Sequence, residues 1–138
     1  MTVVRYLKGS LPSGDSESAE QQALVRWAAL NENRYPGLEM LYAIPNGGHR
    51  HVATAVRLKA EGVKAGVPDL CLPVARCGYH GLYIEMKSEK GKLTQLQKRW
   101  IEKLNEQTHL AVVCKGFEEA RDVIVDYLQG KLSPWQTA

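Results

Sequence analysis

The sequence predicts a mixed α/β fold in which helices flank a central β-sheet. Three observations carry that expectation. Apolar residues recur at helical spacing in Thr94–Gln107 and Phe117–Gln129. Short apolar runs of strand length occupy Asp69–Leu72, Leu82–Lys87 and Leu110–Cys114. Helical and extended segments alternate along the chain, the pattern of layered folds in which helices cover a sheet.

With 138 residues, 44% of them hydrophobic, the chain has the length of one compact domain and enough apolar material for a core. We expect a single domain over residues 1–138, with its core over about 16–128. Met1–Asp15 reads as an irregular start, because Ser10, Pro12, Ser13 and Gly14 break any periodicity. A helix begins near Ser16 to Ser18, and Ser18-x-x-Gln21 has the spacing of a capping box. Ala23, Leu24, Trp27, Ala28 and Leu30 supply its apolar face. Asn31 to Gly37 ends it, with Pro36 as the stop. Met40–Ile44 reads as a short strand closed by Pro45-Asn46-Gly47-Gly48, and His51–Glu61 as a helix ended by Gly62.

The strands at Asp69–Leu72 and Leu82–Lys87 are joined through Pro73–Gly81 as a hairpin. Lys90, Gly91 and Lys92 form a polar loop. Leu96, Trp100, Ile101 and Leu104 turn inward from the next helix. Leu110–Cys114 is wholly apolar, as expected for a strand inside a sheet. Ala120, Val123, Ile124, Tyr127 and Leu128 share one face of the last helix, with Gly130 at its C-terminal end. The tail, Lys131–Ala138, is expected to be loosely ordered.

Composition excludes some functions. No apolar run approaches the ~20 residues that span a membrane. Met1–Ser10 lacks the apolar segment of a signal peptide. A soluble cytoplasmic protein with no membrane partner is therefore expected. Three cysteines, an odd number, argue against a disulfide framework. The net charge of +3 is compatible with nucleic-acid binding without requiring it.

The chemistry centres on Gly81-Leu82-Tyr83-Ile84-Glu85-Met86-Lys87. Alternate side chains of a strand share a face. Leu82, Ile84 and Met86 then enter the core, while Tyr83, Glu85 and Lys87 face the other way. Asp69 opens the preceding apolar strand. If the two strands pair, Asp69 and Glu85 reach one point, and two hard oxygen ligands with open water positions suit Mg2+ or Mn2+. Lys87 beside them can position a water or stabilise charge on a phosphate. The competing interpretation is a solvated strand face carrying a weak surface pair.

Three further features bear on the choice. Glu20 lies on the helical stripe of Leu24 and Trp27, close to the apolar face, although a first-turn carboxylate also favours the helix dipole. Gln97 lies one turn into the following helix, where it can face the site, although Thr94-x-x-Gln97 is also a capping-box spacing. Lys87, Lys90, Lys92, Lys98, Arg99 and Lys103 crowd one stretch, which suits phosphate contacts but equally suits an exposed, solubilising face.

Together, Glu20, Gly66-Val67-Pro68-Asp69-Leu70, Ile84-Glu85-Met86-Lys87 and Leu93-Thr94-x-x-Gln97-x-x-Trp100 resemble the VRR-NUC domain, a branch of the PD-(D/E)xK nuclease superfamily. The resemblance spans about residues 16–128. It implies a restriction-endonuclease-like αβββαβ core and a metal-dependent endodeoxyribonuclease. Asp69 and Glu85 would hold Mg2+ or Mn2+, joined by the Met86 backbone carbonyl and, directly or through water, by Glu20. Lys87 would be the catalytic lysine and Gln97 the glutamine beside the site. Pro45-Asn46-Gly47-Gly48-His49-Arg50 is similar to the family's Asn-Gly loop, although Asn-Gly also favours a plain turn. Asn46, Arg50, Lys64, Lys90 and Lys92 are then the candidate nucleic-acid contacts.

Small stand-alone members resemble phage or mobile-element proteins, which would place this one in a bacterial host's cytoplasm. They resemble homodimeric enzymes acting on branched DNA, including Holliday junctions, so the resemblance implies a resolvase-like homodimer here, while the family also includes flap-processing domains. The alternatives are flap or nick processing, a non-catalytic nucleic-acid-binding subunit, an RNA-directed relative, and a zinc module using His49, His51, Cys71, Cys77, His80 or Cys114. Those last residues lack a Cys-x-x-Cys pair or any familiar finger spacing.

Overall fold

The computed structural model of the protein describes residues 16–46 and 51–132. The irregular start at Met1–Asp15, most of the Asn-Gly loop with Arg50, and most of the C-terminal tail lie outside the described residues. The elements are α1 (Ser16–Leu30), a 3-10 turn (Leu38–Met40), β1 (Tyr42–Ala43), α2 (Val52–Ala60), β2 (Leu70–Leu72), β3 (Leu82–Lys87), α3 (Gln95–Glu106), β4 (Leu110–Lys115) and α4 (Phe117–Leu128). The four strands form one mixed sheet in the order β1-β2-β3-β4. β1 pairs antiparallel with β2 and β2 with β3, whereas β4 runs parallel to β3. The fold is thus the expected α/β arrangement.

Strand alternation divides the sheet into two faces. Leu70, Leu72, Leu82, Ile84, Met86, Leu110, Val112 and Cys114 lie on one face and are buried with Leu24 and Ala28 of α1 and Ala120, Ile124 and Tyr127 of α4. This apolar layer holds the sheet rigid from below. The opposite face carries Asp69, Cys71, Tyr83, Glu85 and Lys87, and α3 crosses it. Asn105 ties α3 to that face by donating to the Ala111 carbonyl at 3.2 Å and accepting from the Ala111 N–H at 3.1 Å.

Several sequence expectations need correction. Ser18 does not cap α1 but lies within it, and its hydroxyl accepts from Gln22 Nε2 at 3.1 Å. Leu30 is 85% exposed, because the helix ends there and the chain turns away through Asn31, whose side chain bonds the Trp27 carbonyl. The strand expected at Met40–Ile44 shrinks to Tyr42–Ala43, since Leu38–Met40 winds into a 3-10 turn. Leu96 is exposed rather than inward, and no residue of α3 is fully buried. β4 is an edge strand despite its apolar sequence, because α3 and α4 cover both of its faces and make an apolar run necessary there.

The turn before β2 fixes where Asp69 emerges. Gly66 has φ +93°, and a Cβ there would stand 2.8 Å from Leu96 Cβ and 2.9 Å from the Leu96 backbone carbon. Only glycine tolerates both the backbone conformation and that approach. Gly66→Ala should therefore cost about 1–3 kcal/mol, read by chemical denaturation; unchanged stability would mean that this loop does not rest on α3.

Candidate active site

The antiparallel register pairs Leu70 with Ile84 and Cys71 with Tyr83, which sets Asp69 across from Glu85. The Asp69 carboxylate is anchored from two sides. Its Oδ2 accepts from the Met86 backbone N–H at 2.8 Å, and its Oδ1 accepts from Asn46 Nδ2 at 3.3 Å. Asn46 also donates to the Val67 carbonyl at 3.1 Å, so it braces the turn and the carboxylate together.

Glu85 is 2% exposed and Lys87 8%, which disposes of the solvated-face interpretation. Lys87 Nζ stands 3.7 Å from Glu85 Oε2. The same oxygen accepts from Gln97 Nε2 at 3.3 Å. Gln97 thus faces Glu85, and it also caps its own helix. Its Oε1 accepts from Thr94 N–H at 2.9 Å, and Thr94 Oγ1 accepts from Gln97 N–H at 3.2 Å, a complete capping box that starts α3. Gly91 closes over the lysine stem, for a Cβ there would lie 3.3 Å from Lys87 Cδ.

Two carboxylates packed this way repel each other. Glu85 is pushed up to about 8, first by burial, then by the charge of Asp69 and a shared hydrogen bond with it, while Lys87 pulls the other way. Glu17 adds a smaller push, so this acid of the first turn of α1 also acts on the site. Sequence reasoning missed Glu17, although it lies one turn before Glu20 on the same helical stripe. Glu20 itself turns to the start of α4, where its Oε1 accepts from the Phe117 backbone N–H.

The remaining oxygen, Glu85 Oε1, is buried and accepts no hydrogen bond. A buried carboxyl oxygen that no donor reaches, beside a second carboxylate, fits a cation, whose charge would favour the ionised form. Among the described residues no three His, Cys, Asp or Glu side chains converge. That suits a hard ion such as Mg2+, which takes one or two carboxylates and keeps its waters, and it does not suit a closed zinc site. Cys71 and Cys114 lie on opposite faces of the sheet, by their register with Tyr83 and Met86.

Comparison with known proteins identifies relatives of the chain. The VRR-NUC domain pattern matches residues 12–118. The chain belongs to the VRR-NUC family. A solved structure described as a VRR_NUC domain protein is 33% identical and superimposes with a TM-score of 0.69, over 83% of this chain and 88% of that one. No curated protein matches the chain. VRR-NUC domains have a nuclease-type fold, whose work requires binding DNA, and this VRR-NUC domain places its carboxylate pair on the sheet face crossed by α3. Lys64, Lys90 and Lys92 are exposed on loops, while Arg50 lies outside the described residues. Among the described residues no helix is long and apolar enough to cross a membrane.

The Glu85 shift carries a stability consequence for the metal-free protein. Its carboxyl binds a proton more tightly in the folded chain than in the unfolded one. The stability this contributes is full below the ordinary value of 4.5 and is lost as pH rises through about 8. Metal-free Glu85→Gln protein should therefore melt above wild type at pH values beyond about 8 and match it near 4.5. Parallel melting curves across that range would mean that Glu85 titrates as an ordinary carboxyl.

Proposed function

We propose that this VRR-NUC protein is a divalent-metal-dependent DNA endonuclease that hydrolyses phosphodiester bonds as a homodimer, with four-way junctions as its preferred substrate. The observation that carries the chemistry is the buried, unbonded Glu85 Oε1 opposite Asp69, with the Lys87 ammonium alongside. Asp69 and Glu85 are the side chains that would hold Mg2+ or Mn2+. The Met86 carbonyl is the expected backbone ligand, and Glu20, whose Oε1 is taken up by the start of α4, would contribute only through water. Such an ion lowers the pKa of a water and offsets charge on a phosphate under attack.

The chain's own residues have separable tasks. Asn46 and the Met86 N–H fix Asp69 in direction. Gln97 holds Glu85 Oε2, which leaves Oε1 to face Asp69. Lys87 brings a positive charge to the phosphate and orients the attacking water. Water adds to phosphorus, one P–O ester bond breaks, and the products are a phosphomonoester and a free hydroxyl. Charge builds on the non-bridging oxygens in between, where a desolvated ammonium is most effective. Asn46, Arg50, Lys64, Lys90 and Lys92 supply contacts to the DNA backbone. Symmetric cutting of a junction calls for two such sites related by a two-fold axis, hence the homodimer.

Cleavage of matched linear, flap and four-way-junction DNA with Mg2+, Mn2+ or EDTA tests this function. Paired, metal-dependent cuts in the junction are expected, and cleavage that persists in EDTA would overturn the metal reading. Asp69→Ala and Glu85→Ala should abolish cleavage. Lys87→Ala should lower kcat by about 10²–10³ with DNA binding retained, whereas lost affinity at an unchanged rate would remove Lys87 from the chemical step.

A further inference from the structure

β3 and β4 run parallel, and their register sets Lys115 directly beside Lys87. Neighbouring strands lie about 4.8 Å apart, and register partners point to the same face. Lys115 therefore stands on the face of Glu85 and Lys87, at the ends of the two strands where the β3–α3 loop leaves the sheet. The two lysines differ in what they are free to do. Lys87 is almost wholly buried and stands 3.7 Å from Glu85 Oε2. Lys115 is only partly buried, and its Nζ donates to the Glu89 backbone carbonyl at 2.9 Å.

An ammonium has three donors, so that bond leaves two, and among the described residues Lys115 forms no ion pair. The Glu89 carbonyl belongs to the loop that carries exposed Lys90 and Lys92. Lys115 thus joins the buried lysine to an exposed basic loop and fills the gap between them with a partly desolvated charge.

We infer that Lys115 binds a backbone phosphate of the DNA, the one adjacent to the phosphate that Lys87 attends, so that the two strand ends form a two-lysine phosphate cradle. This rests on the nuclease reading of the same site. Phosphate is the chemistry that fits, because the group is a point charge with spare donors beside a cation-binding carboxylate pair. The plainer role, a lysine that merely pins the loop, predicts a different response to salt. Each phosphate neutralised by a protein cation adds about 0.9 to the slope of log affinity against log salt on duplex DNA.

The experiment measures binding of a fluorescein-labelled duplex across a salt series, in Glu85→Gln protein so that the DNA stays uncut. Lys115→Ala and Lys115→Gln are added in turn, with Lys115→Arg as the charge-retaining variant. Gln keeps a polar donor without the charge, so it separates loss of the charge from loss of the whole side chain. We expect Ala and Gln both to lower the slope by about 0.9 and Arg to keep it. Slopes unchanged in Ala and Gln, whatever happens to affinity, would overturn the assignment and leave Lys115 as a loop anchor. If the parent shows no salt-dependent DNA binding at all, both the cradle and the nuclease reading fall. Should Lys115→Ala not fold, the Gln and Arg variants decide the matter.

Discussion

The repulsion between Asp69 and Glu85 is the constraint around which the rest of this structure is arranged. Strand pairing forces the two carboxylates together, and burial denies them the water that would dissipate the conflict. Every polar group nearby acts on that conflict. The Met86 N–H and Asn46 hold one carboxylate, and Gln97 and Lys87 hold the other. None of them reaches Glu85 Oε1. A purely structural cluster would satisfy that oxygen as well, since a buried polar atom without a partner is costly. Its isolation is the feature on which the proposed metal site rests.

The burden falls on the opposite side of the sheet. An apolar layer from α1 and α4 seals the underside of β2, β3 and β4, so strand positions are fixed by dense packing before the polar face is considered. Strain among charges can persist only where the backbone that carries them cannot yield. The asymmetry also accounts for the two kinds of helix. α4 buries Ala120, Ile124 and Tyr127 completely, whereas α3 buries nothing fully and serves to roof and orient. Tyr127 also closes the underside by donating from its hydroxyl to the Val74 carbonyl at 2.6 Å.

Much of this was legible in the sequence because its signals were local and doubled. Alternation in Leu82–Lys87 put Glu85 and Lys87 on one face without any knowledge of the partner strand, and Thr94 with Gln97 announced a cap by spacing alone. What failed depended on neighbours that are distant in the chain. Leu30 and Leu96 satisfy a helical period yet meet solvent, because periodicity cannot tell where a helix outlasts its support. The apolar run of β4 suggested a central strand, yet burial by helices above and below demands the same composition at an edge. Glu17 and Glu20 sit on one stripe, and only the position of Phe117, nearly a hundred residues on, turns Glu20 toward α4. Lys115 went unnoticed because its meaning lies in a cross-strand register.

The amide of Gln97 has a consequence that neither of its bonds shows singly. Its oxygen closes the first turn of α3 and its nitrogen holds Glu85, so one planar group spans a helix terminus and a carboxylate. Helix ends fray, and here fraying is not a private matter of the helix. When that turn unwinds, Glu85 loses its Gln97 donor and keeps only the Lys87 ammonium on that oxygen. The fraying of a helix end and the hold on one buried carboxylate are thereby coupled through a single side chain.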